Sequence, residues 1–108
     1  MKIISFDDYV LIQINRKDKI ITLVDYLELF TFKTSSPNNV IINLLDTAIS
    51  SHLIIKHLLP FHFIWQKRNN SFILVSNMSK KISKDLVSIQ SLEEALDFFY
   101  MEQLTRNI

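Results

Sequence analysis

The stretch from Asn39 to Asn77 decides the fold. It reads NVIINLLDT (39–47), AISSHLIIKHLLPFHFIWQKRNN (48–70) and SFILVSN (71–77). The outer segments are short apolar runs, typical of strands buried on both faces, and the middle segment has apolar residues at helical spacing. The pattern predicts strand, helix and strand. This is a βαβ unit, which sets its two strands parallel.

The middle segment predicts a long helix that begins at Ser50 or Ser51. Either hydroxyl can accept a hydrogen bond from the free N–H groups of a first helical turn. Proline has no N–H, so Pro60 predicts a kink, or a division into helices at about 50–58 and 60–68. The apolar stripe of this helix consists of Ile54, Leu58, Phe61 and Trp65.

The segment before this unit predicts two strands and a helix. Strands are expected at 2–5 and at 9–15, where Val10, Ile12 and Ile14 alternate with Leu11 and Gln13. An amphipathic pattern predicts a helix at about 22–33 with Thr22 as its N-cap. Residues 34–39 are expected to form the loop that follows.

The segment after the unit predicts a polar loop, a short strand and a last helix. The loop is expected at 77–85 and the strand at 87–89. Ser91 and Glu94 match the capping box S-x-x-E, which predicts a helix at about 92–104. The whole chain, 1–108, is therefore expected to be one α/β domain, with a central mixed sheet of four to five strands and three main helices.

The composition excludes several kinds of chemistry. The sequence has no Cys and no Gly, which excludes a disulfide framework, a thiolate zinc site and the glycine-rich phosphate loops. Positive-φ positions are expected to fall to Asn. The net charge is +1 and no stretch resembles a signal peptide or a membrane span, so we expect a cytoplasmic protein without a nucleic-acid or membrane partner.

Two groups of polar side chains are not expected to have a functional role. His52, His57 and His62 are five residues apart, which places successive side chains about 140° apart on a helix, so we expect no metal or other cofactor. A basic group is interpreted as a solvated loop and helix end rather than a nucleic-acid surface, because no aromatic side chains interleave with it. It consists of Lys67, Arg68, Lys80, Lys81 and Lys84.

Three segments resemble the STAS domain, the fold of bacterial anti-sigma factor antagonists. They are VIINLLD (40–46), ISSHL (49–53) and SIQSLEEAL (88–96). In ISSHL, Ile49 and His52 stand where the family's D-S-S-G-L has Asp and Gly. The resemblance implies a non-catalytic regulatory module that binds a protein, such as a kinase-like anti-sigma factor. It also implies a phosphorylation site, at Ser50 by motif position or at Ser51.

The predicted interaction surface has two parts. The resemblance implies a surface at the start of the central helix, formed by Thr47, Ser50, Ser51, His52 and Ile55. The last helix has more aromatic residues than one core-facing stripe needs, which indicates a second surface for a partner or a homodimer. Its candidate residues are Phe98 and Tyr100.

The tail leaves one further alternative open. The sequence EEALDFFYMEQLTRNI (93–108) resembles short STAS-like chains sometimes named with ribonuclease Z. This resemblance implies an accessory chain in RNA processing. The chain lacks the H-x-H-x-D-H motif of that zinc hydrolase, so it is not expected to be the nuclease itself.

Overall fold

The computed structural model of the chain describes residues 1–32, 39–77 and 86–106, without the side chain of Phe32. Its strands and helices follow one another in the order that the sequence predicts. In chain order they are β1 (Lys2–Ser5), β2 (Val10–Gln13), α1 (Ile20–Phe32), β3 (Val40–Asn43), α2 (Ser51–Lys67), β4 (Phe72–Val75), β5 (Val87–Ile89) and α3 (Leu92–Arg106).

The five strands form one mixed sheet in the order β1-β2-β3-β4-β5. β1 pairs antiparallel with β2, and the other neighbours are parallel. Val10 pairs with Val40, and Val40 pairs with Phe72, so the central strands begin at one level. The predicted βαβ unit and mixed α/β sheet are confirmed, and β2-α1-β3 forms a second βαβ unit.

The helices cover the two faces of the sheet unequally. α1 and α2 lie on one face, called here the two-helix face, and α3 lies on the other, called the one-helix face. The buried core of the two-helix face consists of Val10, Ile12, Ile14, Leu23, Leu27, Val40, Ile42, Leu44, Ile54, Leu58, Phe61, Trp65, Phe72, Leu74 and Leu86. That of the one-helix face consists of Tyr9, Leu11, Ile41, Ile73, Val75, Ala95 and Phe99.

The predicted start of the first helix is wrong, and one of the two outcomes predicted at Pro60 is excluded. α1 begins at Ile20, so Thr22 lies inside the first turn and is not the N-cap. α2 runs unbroken from Ser51 to Lys67 through Pro60, so the predicted division is absent. Pro60 removes one backbone hydrogen bond, but buried side chains before and after it, Leu58 and Phe61, anchor both halves to one core.

The end of α2 confirms that Asn takes the place of Gly. Asn69 has φ 59°, the left-handed conformation that usually selects Gly after a helix. Its N–H donates to the Gln66 carbonyl at 3.0 Å, and the Asn70 N–H donates to the Trp65 carbonyl at 2.9 Å. These two bonds make a Schellman motif, which satisfies the last carbonyls of the helix.

The last helix begins where its capping sequence predicts. The Glu94 N–H donates to the Ser91 hydroxyl at 3.2 Å, and the helix then runs from Leu92 to Arg106. Most of the two predicted loops, at 34–39 and 77–85, lies outside the described residues, as do Lys80, Lys81 and Lys84.

Candidate interaction surface at the start of the second helix

The connection between β3 and α2 is held by bonds from side chains to the backbone. The Leu45 N–H donates to Asn43 Oδ1 at 3.0 Å, and the Ile49 N–H donates to Thr47 Oγ1 at 3.1 Å. Such local bonds replace the ladder and helix bonds that a connection lacks. The start of α2 is therefore presented on a fixed turn.

Ser50 is the N-cap of α2. It has extended backbone angles (φ −66°, ψ 149°), its hydroxyl accepts from the Leu53 N–H at 3.4 Å, and its carbonyl accepts from the Ile54 N–H at 3.1 Å. Ser51 is the first helical residue and is exposed. Of the two predicted capping serines, Ser50 fills the role, and both stand at the positive end of the helix dipole.

The other predicted residues of this surface differ in exposure. His52 is exposed, Thr47 is half-buried, and Ile55 is half-buried and packs against the core of the two-helix face. Leu53, which was not predicted, is 38% exposed. The accessible part is therefore Ser50 to Leu53, called here the α2-start surface.

A groove of about 480 Å³ borders the α2-start surface. One wall comes from the β2–α1 turn and the start of α1, and the other from the start of α2. Its lining residues are Asp18, Lys19, Ile20, Ala48, Ile49, Ser50 and Leu53. Aliphatic side chains on both walls, with a carboxylate and an ammonium at the α1 end, suit an amphipathic protein segment.

Asp18 holds a fixed negative charge at this groove. Its Oδ2 accepts from the Asn15 N–H at 2.8 Å, and its Oδ1 accepts from the ammonium of Met1 at 2.8 Å. The Asn15 bond and then the Met1 ammonium lower the pKa of Asp18 below its ordinary value of 3.8. The carboxylate orders the β2–α1 turn instead of capping α1.

A second cleft, of about 330 Å³, lies at the carboxyl ends of β2 and β3. It is lined by Met1, Lys2, Gln13, Ile14, Asn15, Asn43 and Asp46. This cleft was not predicted, because a parallel pair was expected only for the strands on either side of α2. The helix at 20–32 between two apolar strands was the available signal, since it implies a second parallel crossover.

Phe98 and Tyr100 lie on the other side of the sheet from the α2-start surface. Phe98 is half-buried and packs against the core of the one-helix face, and Phe99 is fully buried there. Tyr100 is 49% exposed, and its ring centroid lies 5.3 Å from that of Phe99. The residues predicted for interaction therefore form two separate surfaces.

A polar cluster that the sequence analysis missed joins α3 to the start of β4. The buried Ser71 hydroxyl donates to Glu102 Oε1 at 2.8 Å and accepts from Arg106 Nη1 at 2.9 Å. Glu102 and Arg106 are four residues apart on α3, a spacing that could have indicated the pair. The cluster borders a cleft of about 450 Å³, and its bonds fix the end of α3 on the sheet.

Within the described ranges, no group of three or more His, Asp or Glu side chains is arranged to hold a metal ion. None of the helices in the same ranges combines the length and apolar character that a membrane crossing requires. No protein-family model matches the chain, and no curated protein matches it significantly. The STAS resemblance therefore depends on the three quoted segments and on the order of elements.

Proposed function

We propose that this chain is a STAS-type interaction module without catalytic activity, which binds a partner protein through the α2-start surface. The observation that carries the proposal is the exposed segment Ser50 to Leu53 on a turn fixed by side-chain hydrogen bonds, beside a groove lined by Ile20 and Ile49. A rigid turn beside an apolar groove reduces the entropy lost on binding.

The partner class follows from the same surface. Ser50 and Ser51 at the start of α2 suit a serine kinase that also docks on the groove, as a kinase-like anti-sigma factor would. A phosphate on either hydroxyl would add nearly two negative charges beside the free N–H groups of the helix, across the groove from Asp18 and Lys19. Phosphorylation would therefore change the charge of the docking surface and release the partner.

The experiment is quantitative affinity capture from the native cell with wild type and two variants. Leu53→Glu places a charge in the groove, and the matched control Met101→Glu places the same charge on an exposed side chain of α3. We expect a partner that is lost at least tenfold with Leu53→Glu and retained with Met101→Glu, and that binds the purified chain directly. Equal retention by both variants would contradict the proposed surface.

The phosphorylation step is tested separately with the captured partner and magnesium ATP. We expect intact-mass spectrometry to show one added phosphate, which Ser50→Ala or Ser51→Ala removes. The double variant Ser50→Asp/Ser51→Asp should weaken partner binding. A partner that binds through the groove but never phosphorylates either serine would leave docking in place and refute the switch.

A further inference from the structure

The outward side of α1 is a stripe of two acids and two large apolar residues. All four are exposed and recur at helical spacing on the side away from the buried Leu23 and Leu27. They are Ile21, Asp25, Glu28 and Leu29. Leu29 is 61% exposed and Ile21 is 54% exposed, so two large aliphatic side chains lie beside the two acids on this side of α1.

The outward side of α2 has the same apolar character but the opposite charge. Its exposed residues recur at intervals of three and four, opposite the buried Leu58 and Trp65. They are Lys56, Pro60, Phe63 and Lys67. Phe63 is 43% exposed. The two stripes together are called here the α1–α2 outer surface.

The two helices run side by side in the same direction. Each leads from the carboxyl end of one parallel strand to the amino end of the next, and both pack on the two-helix face. Phe30 of α1 stacks on Trp65 of α2 with ring centroids 5.9 Å apart. The outer surface is therefore a parallel helix pair, with an acidic row on one helix and a basic row on its neighbour.

We infer that the α1–α2 outer surface is the interface of a symmetric homodimer, in which α1 of each copy lies on α2 of the other. A two-fold axis parallel to the helices places α1 of one copy opposite α2 of the other. The acidic row of each copy therefore faces the basic row of its partner, and the dimer contains two such contacts. Because Phe30 lies level with Trp65 and the rotation keeps heights along the helices, it brings Leu29 of one copy beside Phe63 of the other. Charge and apolar area are both self-complementary in this arrangement.

The outward side of α3 lacks this property. Its exposed apolar residues, Tyr100, Met101 and Leu104, follow the exposed acids Glu93 and Glu94. Arg106 is the one base of this helix, and it is bonded to Ser71 and close to Glu102. Two copies that met through α3 would leave the acids without basic partners. A second copy is therefore the occupant of the α1–α2 outer surface, not of α3.

The test measures the association of two charge-reversal variants, alone and mixed. Asp25→Lys/Glu28→Lys makes both rows basic, and Lys56→Glu/Lys67→Glu makes both rows acidic. We expect wild type to dimerise in sedimentation velocity between about 1 μM and about 1 mM, with weaker association at high salt. Each variant alone should have a dimer dissociation constant at least about tenfold higher than that of wild type, because the facing rows of the two copies then have the same charge.

Mixing distinguishes this dimer from any other. An equimolar mixture of the two variants should form a heterodimer, because the all-basic surface of one then meets the all-acidic surface of the other. Met101→Glu should dimerise like wild type. Urea unfolding of each variant verifies that the fold is intact, as expected for substitutions of exposed side chains. The inference would be overturned if wild type were monomeric, or if either charge-reversal variant dimerised by itself as well as wild type does. It would also be overturned if the mixture did not associate, or if Met101→Glu dissociated the dimer.

Discussion

The two faces of the sheet differ in how they are covered. In the described ranges, the core between the sheet and α1 and α2 has fifteen buried residues, and the core between the sheet and α3 has seven. Trp65 is the largest fully buried residue of the first core and contacts rings of α1, α2 and β4. Phe99 is the largest fully buried residue of the second core and contacts Tyr9 and Tyr100.

This difference separates stability from recognition on the two-helix face. The inner side of α1 and α2 supplies most of the buried apolar surface, which is the main favourable term in folding. The ends and the outer side of the same helices hold the α2-start surface and the α1–α2 outer surface. α3 has a smaller core beneath it, and the cleft of about 450 Å³ that it shares with the end of α2 is lined by the polar cluster of Ser71, Glu102 and Arg106.

The strongest test compares one large buried ring from each face. Trp65→Ala should lower the free energy of unfolding by about 5 kcal/mol, and Phe99→Ala by about 3 kcal/mol. Trp65 is expected to cost more because its removal leaves a larger cavity among three other rings. Urea unfolding followed by circular dichroism gives both values. An equal or larger loss with Phe99→Ala would contradict the larger contribution expected of the two-helix face.

The next test compares the N-caps of the helices on the two faces. Ser50→Ala and Ser91→Ala each remove a hydroxyl that accepts a backbone N–H, at 3.4 and 3.2 Å. Each should cost about 1 kcal/mol, with the smaller loss at Ser50 because its bond is longer. Ser51→Ala is the matched control and should leave stability unchanged. A loss at Ser51 equal to that at Ser50 would contradict the assignment of the cap.

The smallest expected effects are pH dependences of opposite sign. The lowered pKa of Asp18, caused first by the Asn15 N–H, stabilises the fold above the unfolded pKa of 3.8, and this contribution is lost as pH falls through the folded pKa. Asp18→Asn should therefore be less stable at neutral pH and lose less stability on acidification. Urea unfolding between about pH 2 and about pH 7 measures this.

Tyr9, on the one-helix face, should make the stability of the fold depend on pH in the alkaline range. Burial, and then the charges of Tyr100 and Asp8, raise the pKa of Tyr9 above 10.0. Its contribution is fully present below the unfolded pKa and is lost as pH rises through the folded pKa. Tyr9→Phe should retain more stability than wild type above about pH 10. An identical alkaline transition in both proteins would refute this assignment.

The sequence predicted most of the fold because local patterns and tertiary packing agree. The alternation of Val10 and Leu11 separates the two faces, and the Ser91 capping box begins α3. The start of α1 was mispredicted because the turn held by Asp18 and Asn15, not a capping side chain, sets its first residue. Of the two outcomes predicted at Pro60, a kink or a division, the division is absent because the shared core of α2 outweighs the backbone bond lost there.

Only the part of the candidate site that lies within one short segment of the sequence was predicted. Ser50 follows from the pattern of its own helix. The groove beside it needs Ile20, which is distant in the chain and reaches Ile49 only through the packing of α1 on α2. The α1–α2 outer surface likewise exists only once two separate helices lie side by side. Neither feature has a signal in any single stretch of sequence.

The order of the strands has a consequence for how the chain acquires its structure. Among the described residues, every strand after β1 pairs with the strand that precedes it in the chain, and the paired residues are separated by 5 (Ser5 with Val10) to 32 positions (Val40 with Phe72). No strand has to wait for a distant segment or insert between two that are already paired. We therefore expect the sheet to grow stepwise as the chain leaves the ribosome, with α3 covering it last.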